Sequence, residues 1–406
     1  MEQLRNLKKT SSSRVQQLGA SIFARLAASK SHRIASGKRT IDLSIGSPDL
    51  PPTAKLIDEM ASALHNEDAF TYPSSKGTSY FRETAAKWMF ARFGVEVDAD
   101  QELISLIGTQ DGLAHISLAI GDSGDIALVP DPGYPIHHAG PMLAGMEVYR
   151  MPLHAANGYL PDLDAIPTDI IEKTVMLLLS YPSNPTTAVA TVDDMAKWVD
   201  FCRAHGILLI HDLAYSEMAF DGFDPPSVLS IPGAKEIAIE FHSLSKSFNL
   251  AGSRIGFVVG QRDVISSLRS LKENIDYGVF HAVQQTGVVA LETDIERILQ
   301  KKSPIAASIY KPRRDLLIHI LREMGWNIEM PRATMFVWAP IPVGIDSETF
   351  AERLLSSTGV VVVPGRAFGE HGEGFVRIAL VQAVEVIREA AQLMGQFWQE
   401  EGWKNK

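Results

Sequence analysis

The chain of 406 residues carries a single cysteine, Cys202. An intrachain disulfide and a thiolate metal cluster are therefore excluded, which fits a reducing, cytoplasmic compartment. Long apolar runs are missing as well: VMLLLS and GVVVV are the length of a core strand, far short of a membrane span. The 12 histidines include no H-E-x-x-H spacing, and His137 and His138 would point to opposite faces of an extended segment, so no metal is expected. Positive charge is in deficit, with 38 lysines and arginines against 48 acids and a formal net charge of −10. That balance argues against a nucleic acid as the main partner. No G-x-G-x-x-G run follows a strand, which removes a dinucleotide-binding fold of the usual kind. Acids are nearly missing from residues 1–40, which hold nine lysines and arginines and only Glu2. We read this segment as an amphipathic arm packed on the body, with ASIFARLAA as its apolar stripe, in preference to an organelle transit peptide.

What is present describes a globular protein, 46% hydrophobic and 21% charged. Its length exceeds one ordinary core, so two domains sharing a cleft are expected. From about residue 100 short β-rich runs alternate with helical periodicity: ELISLI, DIALVP, MEVYRM, TVMLLLS, ILLIHD, EIAIEFH and RIGFVVG read as strands. Helices such as GLAHISLAI, YPIHHAGPMLA and DDMAKWVDFCRAH lie between them. This rhythm predicts an α/β unit with a mostly parallel seven-stranded sheet flanked by helices. After about residue 295 a long helix, IYKPRRDLLIHILREMG, is followed by ATMFVWAP, GVVVVPG and FVRIALV, a smaller α+β pattern. The strand-like TIDLSIG before Pro48 would join that unit. The expected division is a large domain over 48–290 and a discontinuous small one over 1–47 and 291–406.

The stretch SLSKSFNLAGSRIG, residues 243–256, places Lys246 among small and apolar residues, with Ser243 and Ser245 before it and Arg254 eight positions on. A lysine attacks a carbonyl only as the neutral amine, which burial and nearby positive charge favour. Arg254 and the serines suit a phosphate, although a lysine at a strand end is in isolation as readily a solvated surface charge. Ser243 to Lys246 also spells S-x-x-K, the acyl-transfer motif, but no S-D-N follows it and no K-T-G occurs anywhere. Gly108-Thr109-Gln110 joins a strand to a helix start, where backbone N–H groups face an anion. Asp212 ends ILLIHD at the sheet edge where open α/β folds bind ligands, and its carboxylate would keep a heteroaromatic nitrogen protonated. Alone it reads more readily as a helix or turn cap. Tyr215 and Asn184 would reach one phenolic oxygen of a cofactor ring, and Tyr134 in DPGYP would stack on such a ring.

The ordered series GTQDG, DPGYP, YPSNPTT, HDLAYSE, SLSKSFNLAGSRIG and GFVRIAL resembles the fold-type I, pyridoxal-phosphate-dependent class I/II aminotransferases over nearly the whole chain. Within them it looks most like the LL-diaminopimelate and aspartate aminotransferase-like branch. The resemblance implies pyridoxal 5'-phosphate as cofactor, joined as an imine to Lys246, with Asp212 on its ring nitrogen and Tyr215 and Asn184 on its ring hydroxyl. It implies Tyr134 on the ring face, and Thr109, Gln110, Ser243, Ser245 and Arg254 around the phosphate. Arg377 would clamp the substrate α-carboxylate with backbone at Gly46 assisting, and Asn184 would also border the substrate. Tyr72 would reach the phosphate of a neighbouring subunit, which implies a homodimer with shared sites. An amino acid and a 2-oxo acid would then exchange an amino group by a ping-pong course.

Three positions depart from that branch as the resemblance presents it. Gln110 stands where a lysine is frequent, NPTTA replaces NPTGA, and Ser253 replaces a bulky aromatic beside Arg254. Specificity for diaminopimelate or aspartate therefore does not follow. Elimination, racemisation or decarboxylation on the same imine remains the alternative reaction class. A regulator that senses the cofactor would need a DNA-binding module, for which the N-terminal arm is too short.

Overall fold

The computed structural model describes residues 10–18 and 22–403. Of the apolar stripe ASIFARLAA, residues 20 and 21 lie outside the described residues. The helix that follows, Ile22–Ala35, is tied to the body by ion pairs from Arg25 to Glu348 and from Lys30 to Asp42, each at 2.7 Å.

Among the described residues twelve strands occur in chain order: β1 Ile41–Asp42, β2 Leu103–Leu106, β3 Ile126–Asp131, β4 Glu147–Pro152, β5 Thr174–Leu179, β6 Leu208–Asp212, β7 Ala238–Ser243, β8 Gly256–Gly260, β9 Phe336–Pro340, β10 Val360–Val361, β11 Val363–Pro364 and β12 Phe375–Ala379. Seven form one sheet in the order β2-β8-β7-β6-β5-β3-β4. Only β8 runs against its neighbours, pairing antiparallel with β2 and β7, while the remaining ladders are parallel. Helices cover both faces of such a sheet, which is why TVMLLL and its companions read as continuous apolar runs and not as alternating ones. Within them the period of two persists: Leu177 and Leu179 pack in one apolar cluster, Met176 and Leu178 in another.

This topology gathers the chemistry-bearing loops. Because β2, β3, β5, β6 and β7 run the same way, the residues after Leu106, Asp131, Leu179, Asp212 and Ser243 emerge at one edge. The reversed strand β8 starts at that same edge, so Arg254, two residues before it, joins them.

A second apolar core surrounds the later strands. It includes Ile41 and Leu43 from the N-terminal side, Tyr310 and Leu317 from the helix Ile305–Glu323, Trp326, Phe336 and Ile378, and Trp398 from the helix Val384–Glu400. Here β11, β12 and β9 form an antiparallel sheet, and β1 pairs in parallel with β10. The TIDLSIG strand thus lies with the C-terminal elements, 319 residues from its partner Val360 at Ile41. Residue 290, where the sequence pattern suggested the end of the large unit, falls inside the continuous helix His281–Leu299. That helix contributes Val288, Ala290 and Leu291 to the core of the large sheet, so the change of partner lies after it.

Candidate active site

A cavity of about 540 Å³ opens at the carboxyl edge of the large sheet, lined on its other side by residues 44–47 and Arg377. Twelve of the thirteen sequence-derived candidates border it: Gly46, Thr109, Gln110, Tyr134, Asn184, Asp212, Tyr215, Ser243, Ser245, Lys246, Arg254 and Arg377. Tyr72 does not. It is 89% exposed and rests its ring 5.7 Å from that of Tyr277, on the outer surface.

One end of the cavity is built for an anion. Gly108 caps the helix Thr109–Ile120 with φ +77° and ψ 158°, a conformation open essentially to glycine alone. A Cβ there would stand 2.4 Å from Arg254 Nη2, so the missing side chain is what lets the guanidinium approach the helix start. Arg254, itself at φ +56°, donates to the carbonyl of Ala251 at 3.0 Å and, among the described residues, pairs with no carboxylate. Ser243 Oγ accepts the Ser245 N–H at 3.2 Å, leaving both hydroxyls at the same end. Fixed donors, a helix N-terminus and an uncommitted guanidinium together form an anion cradle.

Lys246 lies between this cradle and Arg377. Its ammonium donates to the carbonyl of Gly46. Burial, reinforced by the positive charges of Arg377 and Arg254 and opposed by Asp212, brings its pKa down to about 8. Such an amine is a nucleophile at accessible pH.

Asp212 is buried at the end of β6. Its Oδ2 meets His137 Nε2 at 3.1 Å, while Oδ1, equally buried, has no partner among the described residues. A buried carboxylate oxygen left open toward a cavity is a place for a cationic N–H. The phenol of Tyr215 bonds to Asn184, and burial holds its proton on, raising its pKa far above the ordinary range. Tyr134 donates its hydroxyl to Gln110 Oε1 at 3.1 Å.

Arg377 is 3% exposed and has no carboxylate partner among the described residues. Nη1 donates to Asn184 Oδ1 at 2.8 Å and Nη2 to the Ser44 carbonyl at 3.0 Å, whereas Nε is buried without a partner. The guanidinium carbon lies 4.2 Å from the ring centre of Phe336 and 4.7 Å from that of Phe368. Burial lowers its pKa to about 10, yet it remains a cation at neutral pH, waiting for an anion in a site the aromatic rings keep dry.

Sequence reading missed His137, Ser180, Phe336 and Phe368. His137 carried a signal, standing three residues after Tyr134 in the segment YPIHHAGPMLA read as helical; the helix Ile136–Ala144 turns it to Asp212. The two phenylalanines gave none, because Phe336 is brought to Arg377 by the second core and Phe368 by a smaller cluster with Trp338 and Val363.

Comparisons with known proteins agree with this arrangement. The model of the family "Aminotransferase class I and II" matches residues 38–393. The LL-diaminopimelate aminotransferase of Moorella thermoacetica is 43% identical over 379 residues, 93% of this chain and 96% of that protein. LL-diaminopimelate aminotransferase 2 of Trichormus variabilis is 44% identical over 382 residues, 94% and 97% of the two chains. Among solved structures, substrate-bound BacF from Bacillus subtilis superposes with a TM-score of 0.90 at 34% identity, covering 96% of this chain and 98% of its own. A probable N-succinyldiaminopimelate aminotransferase of Thermus thermophilus gives 0.86 at 38% identity, covering 93% and 100%. With a fold-type I architecture and a family match along nearly its whole length, the chain belongs to the class I and II aminotransferases, enzymes that depend on pyridoxal phosphate.

Proposed function

We propose that the 540 Å³ cavity holds pyridoxal 5'-phosphate on Lys246 and that Arg377 receives the α-carboxylate of the amino acid and 2-oxo acid substrates. The observation that carries this reading is the unpartnered, buried Oδ1 of Asp212, which answers the protonated ring nitrogen of that cofactor. The cradle of Gly108, Thr109, Ser243, Ser245 and Arg254 answers its phosphate. When bound, the cofactor supplies an electrophilic carbonyl carbon and a ring that withdraws electrons from the substrate Cα.

The protein's own residues do the rest. Arg377, stacked between two rings, binds the substrate carboxylate and so sets which Cα bond faces the ring. The Lys246 amine, neutral above about pH 8, is the base that takes the Cα proton and the acid that returns it. Asp212, fixed through His137, keeps the opposing charge where the ring nitrogen sits. Asn184 joins the two halves of the site, touching both Arg377 and Tyr215. Gln110 turns its carbonyl oxygen to Tyr134 and holds that ring over the cavity. A homodimer belongs to this reading: Tyr72, with Phe70, Tyr277 and Phe280 exposed beside it, supplies a second subunit's site.

The test is optical. Purified protein incubated with the cofactor develops a visible absorption band that Lys246→Ala lacks, and borohydride followed by peptide mapping finds the reduced adduct at residue 246. A band of undiminished strength in Lys246→Ala, or an adduct on another side chain, overturns the assignment.

A further inference from the structure

Behind the cavity, on the far face of β6 and β7, lies a buried polar set that the reaction does not touch. Glu240 in β7 is wholly buried, 0% exposed. Its carboxylate takes four hydrogen bonds: from His211 Nδ1 at 2.8 Å, His242 Nε2 at 2.8 Å, Ser227 Oγ at 2.7 Å and the Val228 N–H at 2.8 Å. His211 Nε2 in turn meets the carbonyl of Tyr181 at 3.1 Å. Both ring nitrogens of His211 thus face oxygens, which holds the ring in one orientation. His242 stacks on Phe257 at 4.8 Å and 17°, with the ring of Trp88 edge-on at 5.4 Å, which fixes its orientation.

Three members of this set are immediate chain neighbours of residues that line the cavity. Tyr181 follows Ser180, His211 precedes Asp212, and His242 precedes Ser243. Side chains alternate across a strand, so a group fixing one residue from behind fixes where its neighbour points in front. A buried polar set adds little to stability that aliphatic packing would not supply, and the earlier positions of these strands, such as Leu177, Leu209, Ile210 and Ile239, are aliphatic. What it adds is direction, since each hydrogen bond has a required angle.

We propose that Glu240 is a positioning residue of the cofactor site: through His211 and His242 it locks the carboxyl ends of β5, β6 and β7 in mutual register and so aims Ser180, Asp212 and Ser243 at one ligand. Burial alone would raise the Glu240 carboxyl, but the hydrogen bonds from the two histidines outweigh it and hold it below the ordinary carboxylate range, as a fourfold acceptor requires. The inference rests on the reading that this cavity binds pyridoxal phosphate.

The experiment titrates apoenzyme with pyridoxal phosphate, recording affinity and the position of the visible band, for Glu240→Gln, His242→Phe and Ser227→Ala. The first removes an acceptor for one histidine; the second keeps the ring stack on Phe257 but deletes the donor. Both are expected to bind the cofactor about tenfold more weakly with a displaced band, while Ser227→Ala lowers only the melting temperature. Affinity and band unchanged within twofold in folded Glu240→Gln and His242→Phe overturn the inference and leave the cofactor reading intact. Failure of both variants to fold assigns Glu240 to the core and overturns it too. Wild-type protein that takes up no cofactor overturns both.

Discussion

Lys246 and Arg377 show how burial turns ordinary side chains into reagents. A lysine in water is an ammonium ion until about pH 10.4; here burial and two guanidinium groups move that point to about 8. The sign follows from the direction of the shift. Below pH 8 the amine is protonated and unreactive, so the rate of cofactor uptake by the apoenzyme rises close to tenfold per pH unit and levels off above pH 8. Stopped-flow absorbance measures it, and a rate still climbing at pH 10 would show an unperturbed lysine. Arg377 pairs with no carboxylate among the described residues, so its contribution appears when substrate arrives. Two charge-assisted hydrogen bonds at about 1.5–3 kcal/mol each predict that Arg377→Ala lowers kcat/KM by about 10² to 10⁴. The cofactor band is retained, because Arg254 and Asp212 are untouched. Equal loss of cofactor and substrate binding in this variant would place the carboxylate clamp elsewhere.

Among the elements, the turn from β2 into the helix Thr109–Ile120 is where sequence and geometry are most tightly bound. Gly108 has a backbone conformation that costs other residues about 1–3 kcal/mol, and its α-hydrogen faces Arg254. Gly108→Ala is therefore expected to lower the melting temperature and, by displacing Arg254, to weaken cofactor binding by an order of magnitude or more. Equilibrium dialysis on the apoenzyme reads the second effect; an affinity equal to wild type would separate Arg254 from the phosphate. The seven strands of the large sheet were legible because most are apolar runs ended by a turn residue, the edge strand Glu147–Pro152 being the more polar exception, and all seven ranges overlap those observed. Thr187 was legible only as a departure from NPTGA: at φ +61° it occupies the left-handed conformation that glycine adopts freely. The expected boundary at residue 290 falls within the helix His281–Leu299, since periodicity reveals an apolar face and not the neighbour that covers it.

At the scale of the molecule, the exposed aromatic face made by Phe70, Tyr72, Tyr277 and Phe280 carries the proposed dimer, and shared sites make a specific prediction. Tyr72→Ala and Lys246→Ala are each expected to be strongly impaired, yet mixing and re-annealing them restores up to a quarter of wild-type activity. In a mixed dimer one site draws Lys246 from one subunit and Tyr72 from the other. Activity that stays at the sum of the two variants, or a monomer by sedimentation, would confine the site to one chain. The sequence by itself determined the chemistry: a lysine, a carboxylate, an arginine-and-serine anion site and a terminal arginine, in an order that already marked the family, because motif residues sit at strand ends whose spacing survives in one dimension. It also excluded disulfides by having one cysteine. Tertiary structure alone decided which of those groups are buried, paired or left open. Asp212 gains its free oxygen from His137, 75 residues away; Arg377 gains its dry stack from Phe336 and Phe368; β1 finds β10 across most of the chain. Charge state, desolvation and hydrogen-bond vacancy depend on neighbours in space, and no local pattern of residues encodes them.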